Sequence, residues 1–198
     1  VAANPSAPGL EKSERDVSVL FCDVSGYTRL SEELPPDSLN AMVESYFSAF
    51  LDSSHAAGGD INETAGDGFM AIFEAPDPEA HALEAVRTAM QLLEITEQLN
   101  TKYREHPLAI HMGLNSGPAL VGSTRFEGAR GSRWTFTASG PVTNLAARLS
   151  GTAEAGQILV GPETARRLRE RCPMELIKRE HFKNMGAATE IYRITSSS

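Results

Sequence analysis

Residues 17–28 read Val-Ser-Val-Leu-Phe-Cys-Asp-Val-Ser-Gly-Tyr-Thr, and the fold prediction starts from this stretch. Its first six residues are mostly apolar, which is typical of a short strand that is buried on both faces. The apolar run stops at Asp23, and a polar turn that contains Gly26 follows. We interpret Cys22, inside the run, as an ordinary core residue. The stretch therefore predicts a buried strand that ends in a carboxylate.

A second carboxylate, Asp67, lies between two glycines at the centre of a predicted hairpin. Short apolar runs at residues 61–65 and 69–73 flank the Gly-Asp-Gly turn. In a split β-α-β layout this hairpin is a neighbour of the first strand, and Asp23 and Asp67 then converge at one sheet edge. Two close carboxylates repel each other unless a cation lies between them, and Mg²⁺ prefers such oxygen ligands. Two ions ~3.5–4 Å apart would stabilise the attacking and leaving oxygens of an in-line phosphoryl displacement.

The alternative interpretation is that each aspartate is only a turn former. For either residue alone this is the more common case, whereas the two together favour a metal site.

The remaining patterns predict an α+β fold, ferredoxin-like or palm-type, with helices packed on one face of a mainly antiparallel sheet. The order of elements is β-α-α-β-β-α-β-β-β-α. The predicted elements are a helix from Pro36 to the glycines at 58–59, a helix from residues 76–78 to about Tyr103, strands at 108–114 and 118–122 around an Asn-Ser-Gly turn, a flexible loop at 123–132, a strand at 134–138, a helix at 141–150, a strand at 158–160, a helix from Pro162, and strands at 175–182 and 190–194.

The predicted helix at 141–150 has two distinct faces. Its apolar residues share one face, while Asn144 and Arg148, four positions apart, share another. The planar donor fork of Arg148 matches phosphate oxygens, and such a group can stabilise charge in a transition state. A solvated helix face with an incidental arginine is the alternative.

Composition narrows the class of protein. The 198 residues carry a formal net charge of −8, which argues against non-specific binding of nucleic acid or anionic lipid. Two cysteines without paired spacing indicate a reduced, cytoplasmic protein. The chain has no signal-peptide pattern and no apolar stretch near the ~20 residues that span a bilayer. We predict a linker at residues 1–15, from an upstream region that would hold any regulatory domain or membrane attachment, one domain at 16–195 and a tail at 196–198.

Taken together, the motifs resemble the class III adenylyl and guanylyl cyclases over about residues 15 to 195. The matching stretches, in the order of the family, are residues 19–28, 58–61 leading into 66–73, 111–117, 140–148, and Lys183 with the closing 191–193. Any one stretch is weak support, whereas the set in this order is highly specific.

The resemblance implies a role for each matching residue. Asp23 and Asp67 would bind two Mg²⁺ or Mn²⁺ ions, with the carbonyl of Val24 as a further contact. Asn144 would orient the ribose and Arg148 would stabilise the transition state at the α-phosphate. Lys183 would bind the terminal phosphates. Further phosphate contacts are predicted at Ser25, Gly26, Tyr27, Thr28 and Arg133.

The resemblance also implies a head-to-tail homodimer. One subunit would supply the aspartates, and its partner the asparagine, arginine and lysine. The ribose 3′-oxygen would attack the α-phosphate, and the products would be a 3′,5′-cyclic nucleotide for second-messenger signalling and pyrophosphate.

Two positions bear on the choice of base. Glu63 stands where adenylyl cyclases carry lysine, and a carboxylate can accept from guanine N1–H and the N2 amino group. Thr137 can donate or accept, so it does not decide. Glu63 favours GTP, and ATP stays open if Glu63 is only a strand residue.

Two other functions remain alternatives. One is a catalytically silent cyclase-like module that binds a nucleotide or a regulatory partner. The other, which the sequence supports least, is a polymerase-like or diguanylate-forming enzyme on a related palm-type fold.

Overall fold

The fold is built on one long strand near the middle of a sheet. The computed structural model describes residues 12–63, 67–128, 131–182 and 186–195. The strands are β1 (Ser13–Ser25), β2 (Gly59–Glu63), β3 (Gly68–Phe73), β4 (Ala109–Gly128), β5 (Gly131–Ser139), β6 (Ile158–Val160), β7 (Met174–Glu180) and β8 (Thr189–Ile194). The helices are α1 (Tyr27–Glu33), α2 (Pro36–Ala56), α3 (Pro78–Asn100), α4 (Pro141–Thr152) and α5 (Pro162–Leu168). β1 therefore begins before the predicted domain start at residue 16.

The strands form one sheet with the order β2-β3-β1-β4-β6-β8-β7, and β5 pairs with β4 outside this path. β1 is antiparallel to both β3 and β4. β4 and β6 form the parallel pair, and the other pairs are antiparallel. The predicted α+β class with a mainly antiparallel sheet is confirmed.

Helices cover both faces of this sheet, so the prediction that they pack on one face is wrong in that respect. Successive residues of β1 alternate between the two faces. Leu20 and Cys22 pack in the core under α2, α3 and α5. Val19 and Phe21 pack in a separate cluster that contains Val142 of α4. Helical periodicity identifies the apolar side of a helix, but it does not say which face of a sheet that side covers.

β4 is a single strand where the sequence predicted two strands and a loop. The predicted Asn115–Gly117 turn is wrong because these residues continue the ladder, opposite residues 17–19 of β1. Gly117 takes a φ of +138°, a backbone conformation that glycine accepts at low cost. The predicted loop at 123–132 is wrong too, because β4 and β5 pair as far as Gly128 and Gly131.

A partly buried polar cluster joins the start of β1 to α3 and α5. Arg167 donates to both carboxylate oxygens of Asp16, at 2.7 and 2.9 Å, and to Glu163 Oε1 at 2.8 Å. The His81 ring lies 3.1 Å from Asp16 Oδ1 and 2.9 Å from Ser18 Oγ. Burial lowers the pKa of His81, and the Arg167 hydrogen bonds lower the pKa of Asp16. This polar cluster ties the first part of β1, the strand that carries Asp23, to α3 and α5.

Both cysteines are buried thiols, and burial raises the pKa of each. Cys22 therefore has the inert core environment that the sequence predicted. Among the residues that the structure describes, no helix is long and apolar enough to cross a bilayer.

Candidate active site

Asp23 on β1 and Asp67, the residue directly before β3, lie at one end of the sheet. In the β1–β3 register, Asp23 is opposite Gly68, the residue that directly follows Asp67. The Val24 N–H also donates to the Asp67 carbonyl at 2.9 Å. The predicted adjacency of the first strand and the hairpin is therefore confirmed. Both aspartates are partly exposed, so a ligand from solvent can reach them.

Gly68 leaves room for the Asp23 carboxylate. A Cβ placed on Gly68 would overlap with Asp23 Oδ1 and would lie 2.8 Å from the Cys22 carbonyl oxygen. The sequence pattern predicts this glycine only as a turn residue. In the structure its missing side chain lets Asp23 Oδ1 lie directly against the Gly68 backbone.

The other oxygen of Asp23 is held from α4. The Ser150 hydroxyl donates to Asp23 Oδ2 at 2.8 Å, and Ser150 is buried. His111 Nε2 lies 4.0 Å from the same oxygen, while His111 Nδ1 is 2.8 Å from Ser25 Oγ. Ser25 is thus tied to the same face of the sheet as Asp23. No role was predicted for Ser150 or His111, because only the fold brings them to Asp23.

Asn144 and Arg148 lie on the side of α4 that does not pack on the sheet. Asn144 is exposed and Arg148 is partly exposed, whereas Leu145 and Leu149 are buried. The Arg148 guanidinium lies 5.6 Å from the centre of the Phe182 ring, within the range of a cation–π contact. Phe182 directly precedes Lys183 in the sequence. Lys183 itself lies outside the described residues.

The predicted phosphate-binding turn forms the junction between β1 and α1. Gly26 has a φ of +74°, in the left-handed region that favours glycine, and it precedes the first residue of α1. Tyr27 packs against the main core. Thr28 is exposed, and its carbonyl accepts from Ser31 Oγ at 2.6 Å. This geometry places the turn directly after Asp23.

The remaining predicted residues lie on strands. Thr137 of β5 is partly exposed, and its hydroxyl is 3.3 Å from the Ala138 carbonyl oxygen. The backbone of Glu63 pairs with Phe69, and that of Arg133 pairs with Phe126. The side chains of Glu63 and Arg133 lie outside the part of the chain that the structure describes.

The family model for the adenylate and guanylate cyclase catalytic domain matches residues 10–196. The chain belongs to this cyclase family. It is therefore a nucleotidyl cyclase domain, and the fold class that the sequence resemblance implied is confirmed.

Relatives of the cyclase domain include named adenylate cyclases. It is 33% identical to adenylate cyclase 1 of Rhizobium meliloti over 69% of this chain and 21% of that protein. It is 28% identical to adenylate cyclase of Anabaena cylindrica over 92% of this chain and 37% of that protein. The chain thus spans well under half the length of these curated relatives. The crystal structure of the adenylyl cyclase CyaB from P. aeruginosa matches with a TM-score of 0.87 and 28% identity, covering 96% of this chain and 98% of that one.

The oxygen donors of this cyclase domain suit the metals that its family generally uses, Mg²⁺ and Mn²⁺. The described residues hold no group of three or more His, Cys, Asp or Glu side chains that could bind a metal alone. Two carboxylates and the Val24 carbonyl are a small set of hard donors, which Mg²⁺ typically completes with waters and substrate phosphates. Both aspartates are partly exposed, so such an ion can reach their oxygens from solvent.

Proposed function

We propose that this cyclase domain converts a purine nucleoside triphosphate to its 3′,5′-cyclic nucleotide and pyrophosphate, for second-messenger signalling. The observation that carries the proposal is the adjacency of Asp23 on β1 and Asp67, directly before β3, in a member of the cyclase family. Two Mg²⁺ or Mn²⁺ ions, bound with the triphosphate, would activate the ribose 3′-oxygen and neutralise charge on the phosphates.

The roles proposed for the protein groups follow from their chemistry. Asp23, Asp67 and the Val24 carbonyl hold the ions. The Asn144 amide orients the ribose, and the Arg148 guanidinium donates to the oxygens of the α-phosphate as their charge increases. Lys183 binds the terminal phosphates. The Ser25–Thr28 turn and Arg133 supply further phosphate contacts. The turn follows Asp23 closely in the chain, which supports the phosphate-binding role proposed for the turn.

A homodimer with two composite sites is part of the proposal, as is typical of the family. Asn144 and Arg148 lie on the side of α4 that faces away from the sheet, whereas Ser150 of the same helix contacts Asp23. One chain would therefore present its polar helix face to the aspartates of a second copy. Symmetry then gives each dimer two equivalent sites.

For the base, we propose GTP with Glu63 as the acceptor, and Thr137 as the partner position. A carboxylate matches the two donors on the guanine edge, whereas adenine N1 is an acceptor. ATP is the competing substrate, and the curated relatives named above are adenylate cyclases.

The test is product analysis with GTP and ATP side by side, for the purified dimer with Mg²⁺ or Mn²⁺ and for its Glu63→Lys variant. We expect cyclic nucleotide from the unaltered protein, cyclic GMP in excess, and a shift towards cyclic AMP in Glu63→Lys. No cyclic nucleotide from either substrate would overturn the proposed activity. Product without a shift would overturn only the role of Glu63.

A silent nucleotide-binding module predicts a different pattern. Nucleotide would bind equally well to the unaltered domain and to Asp23→Ala and Asp67→Ala, and no product would form. Linear or dimeric guanylate products would indicate the polymerase-like alternative instead.

A further inference from the structure

We infer that Ser150 is a positioning residue for the metal-binding carboxylate of Asp23. This inference rests on the proposed function, because it concerns the same site. It follows from one hydrogen bond, from the Ser150 hydroxyl to Asp23 Oδ2 at 2.8 Å. The two residues are far apart in the sequence, and they belong to α4 and β1.

The backbone of α4 packs closely on β4 at Ser150, the donor of this hydrogen bond. Gly113 of β4 lies directly beneath it, and a Cβ on Gly113 would overlap with the Ser150 nitrogen and the Ala146 carbonyl oxygen. Gly113 is opposite Phe21 in the β1–β4 register, two residues before Asp23 along β1. Ser150 itself is 1% exposed. The Ser150 side chain is short and buried, and the backbone that carries it packs closely on β4. The position of the hydroxyl beside Asp23 is therefore set by this packing.

The hydrogen bond restricts how the carboxylate can turn. Oδ2 accepts from Ser150, and Oδ1 lies against Gly68, where an added Cβ would overlap with it. A carboxylate held in one orientation loses less conformational freedom when it binds an ion. Removal of such a supporting hydrogen bond typically costs 10–100-fold in metal affinity.

A purely structural role for Ser150 makes a different prediction. If the hydrogen bond from Ser150 to Asp23 only stabilised the fold, removal of the hydroxyl would lower the stability of the domain and leave its metal affinity unchanged. Ser54 provides the matched control. It is also a fully buried helical serine, and its hydroxyl has no hydrogen-bond partner among the described residues.

The experiment compares the unaltered dimer with Ser150→Ala and Ser54→Ala. The probe is Mn²⁺, titrated in the presence of a 3′-deoxynucleoside triphosphate, which lacks the attacking hydroxyl. Electron paramagnetic resonance of free Mn²⁺ gives the affinity without turnover. We expect Ser150→Ala to bind Mn²⁺ about 10–100-fold more weakly, and Ser54→Ala to bind it like the unaltered protein.

Steady-state kinetics give the second measurement. In Ser150→Ala, saturating Mn²⁺ should restore most of kcat, because the catalytic groups are still present. Equal Mn²⁺ affinity in Ser150→Ala and the unaltered dimer would overturn the inference and leave the proposed function intact. An unaltered dimer that neither binds Mn²⁺ with nucleotide nor makes a cyclic product would overturn the proposed function itself.

Discussion

The position of the Asp23 carboxylate depends on Gly68. We predict that Gly68→Ala abolishes most metal-dependent activity, because the added Cβ overlaps with Asp23 Oδ1 and must displace the carboxylate. Overpacking of this kind typically costs about 1–3 kcal/mol of unfolding free energy, which leaves a folded domain to assay. Cyclic nucleotide production and Mn²⁺ binding should both fall in this variant.

Gly151→Ala is the control for that substitution. A Cβ on Gly151 meets nothing within 4 Å, and this glycine lies in the last turn of α4. Alanine there should preserve activity and raise helix stability by a few tenths of a kcal/mol up to about 1 kcal/mol. If Gly68→Ala and Gly151→Ala were equally active, the placement of the Asp23 carboxylate against Gly68 would have no functional role.

The sequence could predict the two carboxylates but not the groups that hold them. Asp23 and Asp67 could be predicted from the sequence because Asp23 follows a recognisable apolar run and Asp67 precedes one. Ser150 and His111 lie in ordinary stretches of a helix and a strand, and no local pattern distinguishes them. Their proximity to Asp23 arises from the pairing of β1 with β4 and from the packing of α4 on β4. That information is in the tertiary structure alone.

At the scale of elements, the contact of α4 with β4 depends on Gly113. We predict that Gly113→Ala destabilises the domain by about 1–3 kcal/mol or more, because its Cβ would overlap with backbone atoms that cannot rotate away. Urea unfolding measures the change. The same variant should also lose Mn²⁺ affinity, since Ser150 would move away from Asp23. A fully stable Gly113→Ala with unchanged affinity would contradict this account of the helix.

β4 shows why local signals misled the sequence prediction at this scale. Asn-Ser-Gly is a common turn, yet the ladder with β1 runs through it and supplies hydrogen bonds along the strand. The Ser116 hydroxyl also contacts Ser18 at 2.7 Å and Thr164 at 2.8 Å. Tertiary pairing therefore outweighed turn propensity.

The polar cluster around Arg167 should make stability depend on pH. Hydrogen bonds from Arg167 lower the pKa of Asp16, and those from Arg166 and Arg167 lower the pKa of Glu163 to about 2. Depressed carboxylate pKa values stabilise the fold above the unfolded values of about 4, and this contribution is lost as pH falls towards 2. We predict that Arg167→Met costs about 1–3 kcal/mol at pH 7. The value is limited because both carboxylates are about a third or more exposed.

Urea unfolding between pH 7 and pH 2 tests this prediction. The difference between the unaltered protein and Arg167→Met should shrink as pH falls below 5. Arg29→Met is the control, because the Arg29 side chain is 67% exposed and lies 3.9 Å from Glu33. It should change stability little at any pH. A gap that stays constant down to pH 2 would show that the Arg167 carboxylate contacts do not contribute through ionisation.

At the scale of the whole molecule, the proposal is that each site forms between two copies of the chain. Asp23 and Asp67 of one chain and the polar face of its α4 would then serve different sites within one dimer. The sequence resemblance predicted this division. In the structure, α4 also contacts Asp23 of the same chain through Ser150, while Asn144 and Arg148 of this helix face away from the sheet.

Mixed dimers test the division of labour. One chain carries Asp23→Ala with Asp67→Ala, and the other carries Asn144→Ala with Arg148→Ala. Each variant alone should be inactive, because both of its sites lack an essential group. In a mixed dimer one site loses all four groups and the other keeps them all. Random pairing of equal amounts should therefore restore about a quarter of the unaltered rate. Differently tagged chains, purified as the mixed dimer, should reach about half. If the purified mixed dimer stayed inactive, while both variants still dimerised, each site would be built within one chain and the composite arrangement would be wrong.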